Sequence, residues 1–144
     1  MNEKPQTSSQ NTKPIVVTFE YKHTGMGSIS DTILISFKSG KMISSRLHTT
    51  KSGSHGTRTY LVFPAKYLMY SIYKSNLGNT YIVIKVVQLK EDGAIETLQQ
   101  WNLYEGKEQK MLLDDLPENI KTLLEINKNK LPLFYYVINQ DQAE

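Results

Sequence analysis

The sequence contains no cysteine, which excludes a disulfide framework, thiolate metal ligands and a cysteine nucleophile. It has no apolar run of the roughly 18 to 20 residues that a membrane-spanning helix needs, and no apolar segment of the signal-peptide kind near Met1. The expectation is a soluble, cytoplasmic protein with no membrane partner. Acidic residues are absent over a long internal stretch. From Thr32 to Lys90 there is no Asp or Glu in 59 residues, while nine bases occur there: Lys38, Lys41, Arg46, Lys51, Arg58, Lys66, Lys74, Lys85 and Lys90. Residues 1–31 carry three bases and three acids, and residues 91–144 carry five bases and eleven acids. The net charge of +3 therefore conceals a basic middle and an acidic C-terminal third.

With 144 residues the chain has room for one ordinary domain. Residues 1–14 hold a single apolar side chain, Met1, too little to offset the entropy of ordering them, so a disordered arm is expected there. Residues 15–139 form the expected domain and 140–144 a frayed end. Ile15–Lys22 alternates, with Val17, Phe19 and Tyr21 on one face, as a half-buried strand does. Thr32–Lys38 and Lys41–His48 alternate around Ser39 and Gly40. They predict a hairpin in the register that sets Phe37 against Ile43 and Ile33 against Leu47, because a slip by one residue would turn Arg46 inward.

Thr49–Arg58 has the Gly, Ser and Thr density of a loop, and Thr57–Phe63 returns as a strand. Pro64, Ala65, Leu68 and Ile72 match helical spacing up to Asn76 and Gly78, predicting a helix with Lys66, Tyr67, Tyr70, Tyr73 and Lys74 on its other side. Thr80–Lys90 is long and β-branched and reads as a central strand. Asp92-Gly93 signals a hairpin turn into a strand over Ala94–Tyr104. Asp115, Pro117 and Glu118 announce a second helix to about Lys130, and Leu131–Asn139 is apolar enough for a last strand. The expected fold is a single α+β domain, an antiparallel sheet of five to seven strands with two helices.

Catalytic motifs are scarce. His23, His48 and His55 form no metal-binding pair of the usual spacing. Gly25-Met26-Gly27 lacks the third glycine and the following helix of a dinucleotide loop, and no phosphate-loop motif occurs. The carboxylate pairs Glu91-Asp92 and Asp114-Asp115 are explained by turn and capping chemistry. No cofactor, metal site or catalytic residue is expected. A weak alternative is a metal-independent ribonuclease using His48 and His55 as base and acid beside Lys51 or Arg58.

The residues that remain suit nucleic acid: cations to displace counterions, hydroxyls to position phosphates, and aromatic faces on which bases stack. The expected binding residues are Lys38, Lys41, Arg46, His48, Lys51, Arg58, Tyr60, Lys66, Lys74 and Tyr81, with Arg46, Lys51 and Arg58 as principal phosphate contacts and Tyr60 and Tyr81 as stacking rings. Single strands are favoured over duplex, because no segment read as helix combines Arg, Asn and Gln on one exposed face. The function expected is non-enzymatic binding of single-stranded DNA or RNA. The competing expectation is a protein-interaction module, or a homo-oligomer, in which the basic half docks an acidic surface. The chain supplies such a surface itself if its acidic third folds over the basic block.

Overall fold

The computed structural model describes residues 13–23, 28–43, 46–48, 51, 52 and 55–132. Most of the expected N-terminal arm, the frayed end and the last strand beyond Pro132 lie outside these residues. In chain order the strands are β1 (Ile15–His23), β2 (Ile29–Ser36), β3 (Arg46–His48), β4 (Lys51–Ser52), β5 (His55–Val62), β6 (Lys66–Lys74), β7 (Thr80–Leu89), β8 (Ile95–Gly106) and β9 (Glu108–Gln109). One α-helix follows, α1 (Glu118–Ile126), between 3-10 turns at Leu113–Asp115 and Lys128–Lys130. The strands form one antiparallel sheet in the order β3-β5-β1-β2-β6-β7-β8-β9, with β4 beside β5.

The helix expected over Pro64 to Asn76 is instead β6, paired with β2 on one side and β7 on the other. Its apolar residues matched helical spacing because they are nearly continuous. Tyr67, Leu68, Met69 and Tyr70 are all buried, which an interior strand covered on both faces allows and a one-sided helix does not. Pro64 precedes the strand, where its missing donor is harmless. The sheet therefore gains a strand and the domain keeps one helix of the expected two.

The hairpin after β2 also departs from expectation. Its loop is one residue longer and comes earlier, spanning residues 37–40, with Ile35 bridged to Met42 and Ser36 N–H donating to Lys41 O at 2.9 Å. Gly40, at φ +77°, supplies the left-handed residue that this turn needs. The chain then leaves β2, so that Arg46 in β3 lies opposite Tyr60 of β5 rather than beside β2.

Both faces of the central strands are buried. On one, Ile33, Ile35, Leu68, Tyr70, Ile72, Ile82, Ile84 and Val86 lie beneath Leu113, Leu116, Ile120, Leu123, Leu124 and Leu131. Tyr70 donates its hydroxyl to Pro132 O, and burial pushes that hydroxyl well above the usual phenol range. The buried Asn127 amide ties α1 to the hairpin, accepting from Met42 N–H at 3.2 Å and donating to Gly40 O at 3.0 Å and Leu123 O at 2.8 Å.

On the other face, Leu34, Tyr67, Met69, Val87 and Leu89 pack with Val17, Tyr60 and Val62. The register of β1 with β2 consists of Lys22 with Ser30 and His23 with Ile29, whereas β1 follows β5 from Ile15 to Lys22. The β1–β5 ladder thus leaves the plane of the central strands and closes over half of their second face.

Candidate nucleic-acid interface

The half of that face left open is polar and aromatic. Alternation along the paired strands places Thr32, Ser71, Tyr73, Tyr81, Val83 and Lys85 on it, with Gln100 and Asn102 of β8 opposite Lys85 and Val83. Tyr73 and Tyr81 are cross-strand partners with ring centroids 6.0 Å apart and exposures of 47% and 41%. Lys74, opposite Thr80, follows Tyr73 at the end of β6 with the parity of Tyr70 and Ile72, on the other face of the sheet. Gln100 Nε2 donates to Asn102 Oδ1 at 3.1 Å, and Glu105, opposite Tyr81, is the acid that borders the rings. Two solvent-facing phenol rings on the same face as amides, hydroxyls and one lysine, Lys85, offer stacking surface and hydrogen-bonding groups at once.

At the far end of β6, Lys38, Lys41 and Lys66 are exposed, and Lys66 Nζ stands 5.8 Å from the Phe37 ring centroid. With β6 about 27 Å long at 3.4 Å per residue, the expected lysines fall into two groups, one at each end of the sheet. Arg46, His48 and Lys51 are held in β3 and β4, opposite Tyr60, Thr59 and Gly56 of β5.

Two expected site residues have other roles. Tyr60 is 1% exposed and belongs to the core, so it offers no face to a base. Its position opposite Val17, an inward residue of β1, accounts for this. Arg58 is committed to Asp31, whose carboxylate is wholly buried. Arg58 Nε donates to Oδ1 at 2.8 Å and Nη2 to Oδ2 at 3.0 Å, while the guanidinium carbon lies 4.5 Å from the Tyr21 ring centroid. Thr32 N–H donates to Asp31 Oδ1 at 2.8 Å, and His23 Nε2 is 3.1 Å from Oδ2. Hydrogen bonding to Asp31, aided by its charge, raises the Arg58 pKa against the opposing effect of burial. The pair is locally neutral, and the groups that would face a phosphate are already used.

Asp31, His23 and Tyr21 were missing from the expected site. Their signal was parity: Asp31 precedes the inward Ile33 and Ile35 by the two-residue step of a strand, and a carboxylate turned inward needs partners.

Among the described residues the acids of the C-terminal third pair mostly with lysines of that same third. Lys121 pairs with Asp114 at 3.0 Å and Glu118 at 3.7 Å, Lys110 with Glu108 at 3.0 Å, and Lys128 with Glu125 at 3.8 Å. From the block, Arg58 pairs with Asp31 and Lys90 with Glu96 at 3.1 Å. Among the described residues Lys38, Lys41, Lys66, Lys74 and Lys85 form no ion pair. Also among these residues, no group of three or more His, Cys, Asp or Glu is placed to hold a metal, and no helix is long and apolar enough to cross a membrane.

No family model and no curated protein matches the chain. Among solved structures it is similar to an engineered protein, with a TM-score of 0.51 and 20% identity over 64% of this chain and 60% of that one. The alignment thus spans less than two thirds of the engineered protein, and the likeness is one of fold. ORF157 of Acidianus filamentous virus 1 aligns with a TM-score of 0.48 and 20% identity over 89% of this chain and 75% of that one.

Proposed function

We propose that the protein is a non-enzymatic binder of single-stranded nucleic acid, DNA or RNA, which it holds on the open half of the sheet. The observation that carries this reading is that five lysines of the acid-free block stay free of ion pairs among the described residues, three of them on the strands that present an exposed tyrosine pair. An acidic partner among the described residues would have engaged them. Lysines supply the counterion release on which affinity depends, and Tyr73 and Tyr81 supply rings on which bases of any sequence stack. Tyr73 takes the stacking role expected of Tyr60. Duplex does not suit this surface, because its aromatic groups lie on a sheet and meet bases only where those are unpaired.

Fluorescence titration of a labelled single-stranded oligonucleotide against wild type, Tyr73→Ala and Tyr81→Ala tests the assignment. Loss of one stacking ring costs about 1 to 3 kcal/mol, a weakening of roughly 5-fold to 150-fold. Equal binding by the wild type and both variants, or tighter binding to duplex than to single strand, rejects it.

A further inference from the structure

We propose that the C-terminal segment adds its own cations to this nucleic-acid surface, through Lys128 and Lys130, so that the phosphate contacts continue off the sheet past the Gly40 turn. The inference rests on the binding reading above and extends it to a segment whose overall charge argues the other way.

The placement follows from Asn127. Its side chain grips the hairpin at Gly40 O and Met42 N–H, at 3.0 and 3.2 Å, and the same residue leads directly into the 3-10 turn Lys128–Lys130. Lys38 and Lys41 flank Gly40 on the hairpin side. Two bases of the acid-free block and two of the acidic third are thereby brought to one corner of the domain. Lys38, Lys41 and Lys130 are exposed and have no ion pair among the described residues. Lys128 lies 3.8 Å from Glu125, beyond hydrogen-bonding distance, and Glu125 leaves the four lysines with a net charge of about +3. The C-terminal end of α1 favours cations by its dipole, which explains why lysines are tolerated at Lys128 and Lys130. It does not explain why Lys38 and Lys41 are brought to the same place at the cost of mutual repulsion. A polyanion crossing the corner relieves that repulsion.

The test is fluorescence anisotropy with a labelled single strand of about 16 nucleotides, near the upper end of site sizes for sheet-based binders, over a salt series. The proteins are the full chain, the double variant Lys128→Ala/Lys130→Ala and, as a control on the helix that precedes the turn, Lys121→Ala. The double variant should bind more weakly at low salt, with a log–log salt slope shallower by about 1.4, since each single-strand phosphate contact contributes about 0.7. Lys121→Ala should leave the slope unchanged. If the wild type binds and the double variant keeps its slope, or if Lys121→Ala loses as much as one of the two lysines, this inference is overturned and the binding reading stands. If the wild type fails to bind any single strand, both are overturned. Thermal unfolding of each variant separates loss of contact from loss of fold.

Discussion

Replacing Arg58 by Leu should destabilise the protein by about 3 kcal/mol. Asp31 is fully buried and accepts from Arg58 Nε, Arg58 Nη2 and Thr32 N–H, with His23 Nε2 also in reach. Removing one partner of a buried ion pair typically costs about 3 to 5 kcal/mol, because the other charge is left uncompensated. The lower end applies here, since Arg58 retains 15% side-chain exposure and Asp31 keeps two of its donors. Asp31→Leu should cost less, about 2 kcal/mol, because Arg58 can turn toward solvent and still lie on Tyr21. The double variant should lose less than the two combined, with a coupling of at least about 1 kcal/mol. In thermal unfolding, the Arg58→Leu loss is a shift of about 10 °C for a domain of this size. The assay is urea unfolding followed by the fluorescence of the single tryptophan, Trp101, with far-ultraviolet circular dichroism as the second probe. A loss below about 1 kcal/mol for Arg58→Leu, or strict additivity in the double variant, would refute the view of Arg58 as the partner of a buried carboxylate.

Three further outcomes follow from the packing. Asn127→Ala removes three side-chain hydrogen bonds and leaves the Met42 N–H without its acceptor, so a loss of about 2 kcal/mol is expected in the same unfolding assay. Gly40→Ala should cost about 1 to 2 kcal/mol from its left-handed backbone. The added Cβ would sit 3.8 Å from Leu123 Cδ2 in ordinary contact, so an equal loss in a Leu123→Ala background would show that the strain is local to the backbone. Because burial raises the Tyr70 pKa in the folded state, its stabilising effect is complete below the unfolded value near pH 10. It is lost as pH rises from there toward the folded value, at up to about 1.4 kcal/mol per pH unit. Tyr70→Phe, measured by urea unfolding between pH 8 and 11 (about one unit either side of a free phenol), should flatten that decline while costing about 1 kcal/mol at neutral pH through the bond to Pro132 O.

Strands with a clear two-residue period or a long β-branched run were legible in the sequence. Ile15–Lys22 and Thr80–Lys90 became β1 and β7 almost as read, and Asp92-Gly93 does turn into β8. Lys66–Lys74 was misread because burial on both faces removes the alternation by which a strand is recognised, leaving a chance match to helical spacing. The hairpin register was misjudged for a different reason. It assumed that all of Lys41–His48 pairs with β2, whereas residues 41–43 do so and Arg46–His48 pairs with β5 instead. In the candidate site, charge segregation identified the unpaired lysines but not which ring faces solvent. Only the fold of β1 and β5 across half the sheet buries Tyr60 and leaves Tyr73 open. Asp31 shows the limit of reading charge by regional count: one acid at the boundary of the block removes Arg58 from it.

The central claim, that unpaired lysines on and beside the open sheet hold the phosphates of a single strand, is tested most directly by the salt dependence of binding. If Lys38, Lys41, Lys66, Lys74 and Lys85 each meet a phosphate, and Lys128 and Lys130 with them, log K against log salt for a single-stranded oligonucleotide has a slope of about −4.9, from about 0.7 per contact. Alanine at Lys74 and Lys85 together should bring it to about −3.5 by the same rule. No binding at low salt, or a wild-type slope near zero, would contradict the account.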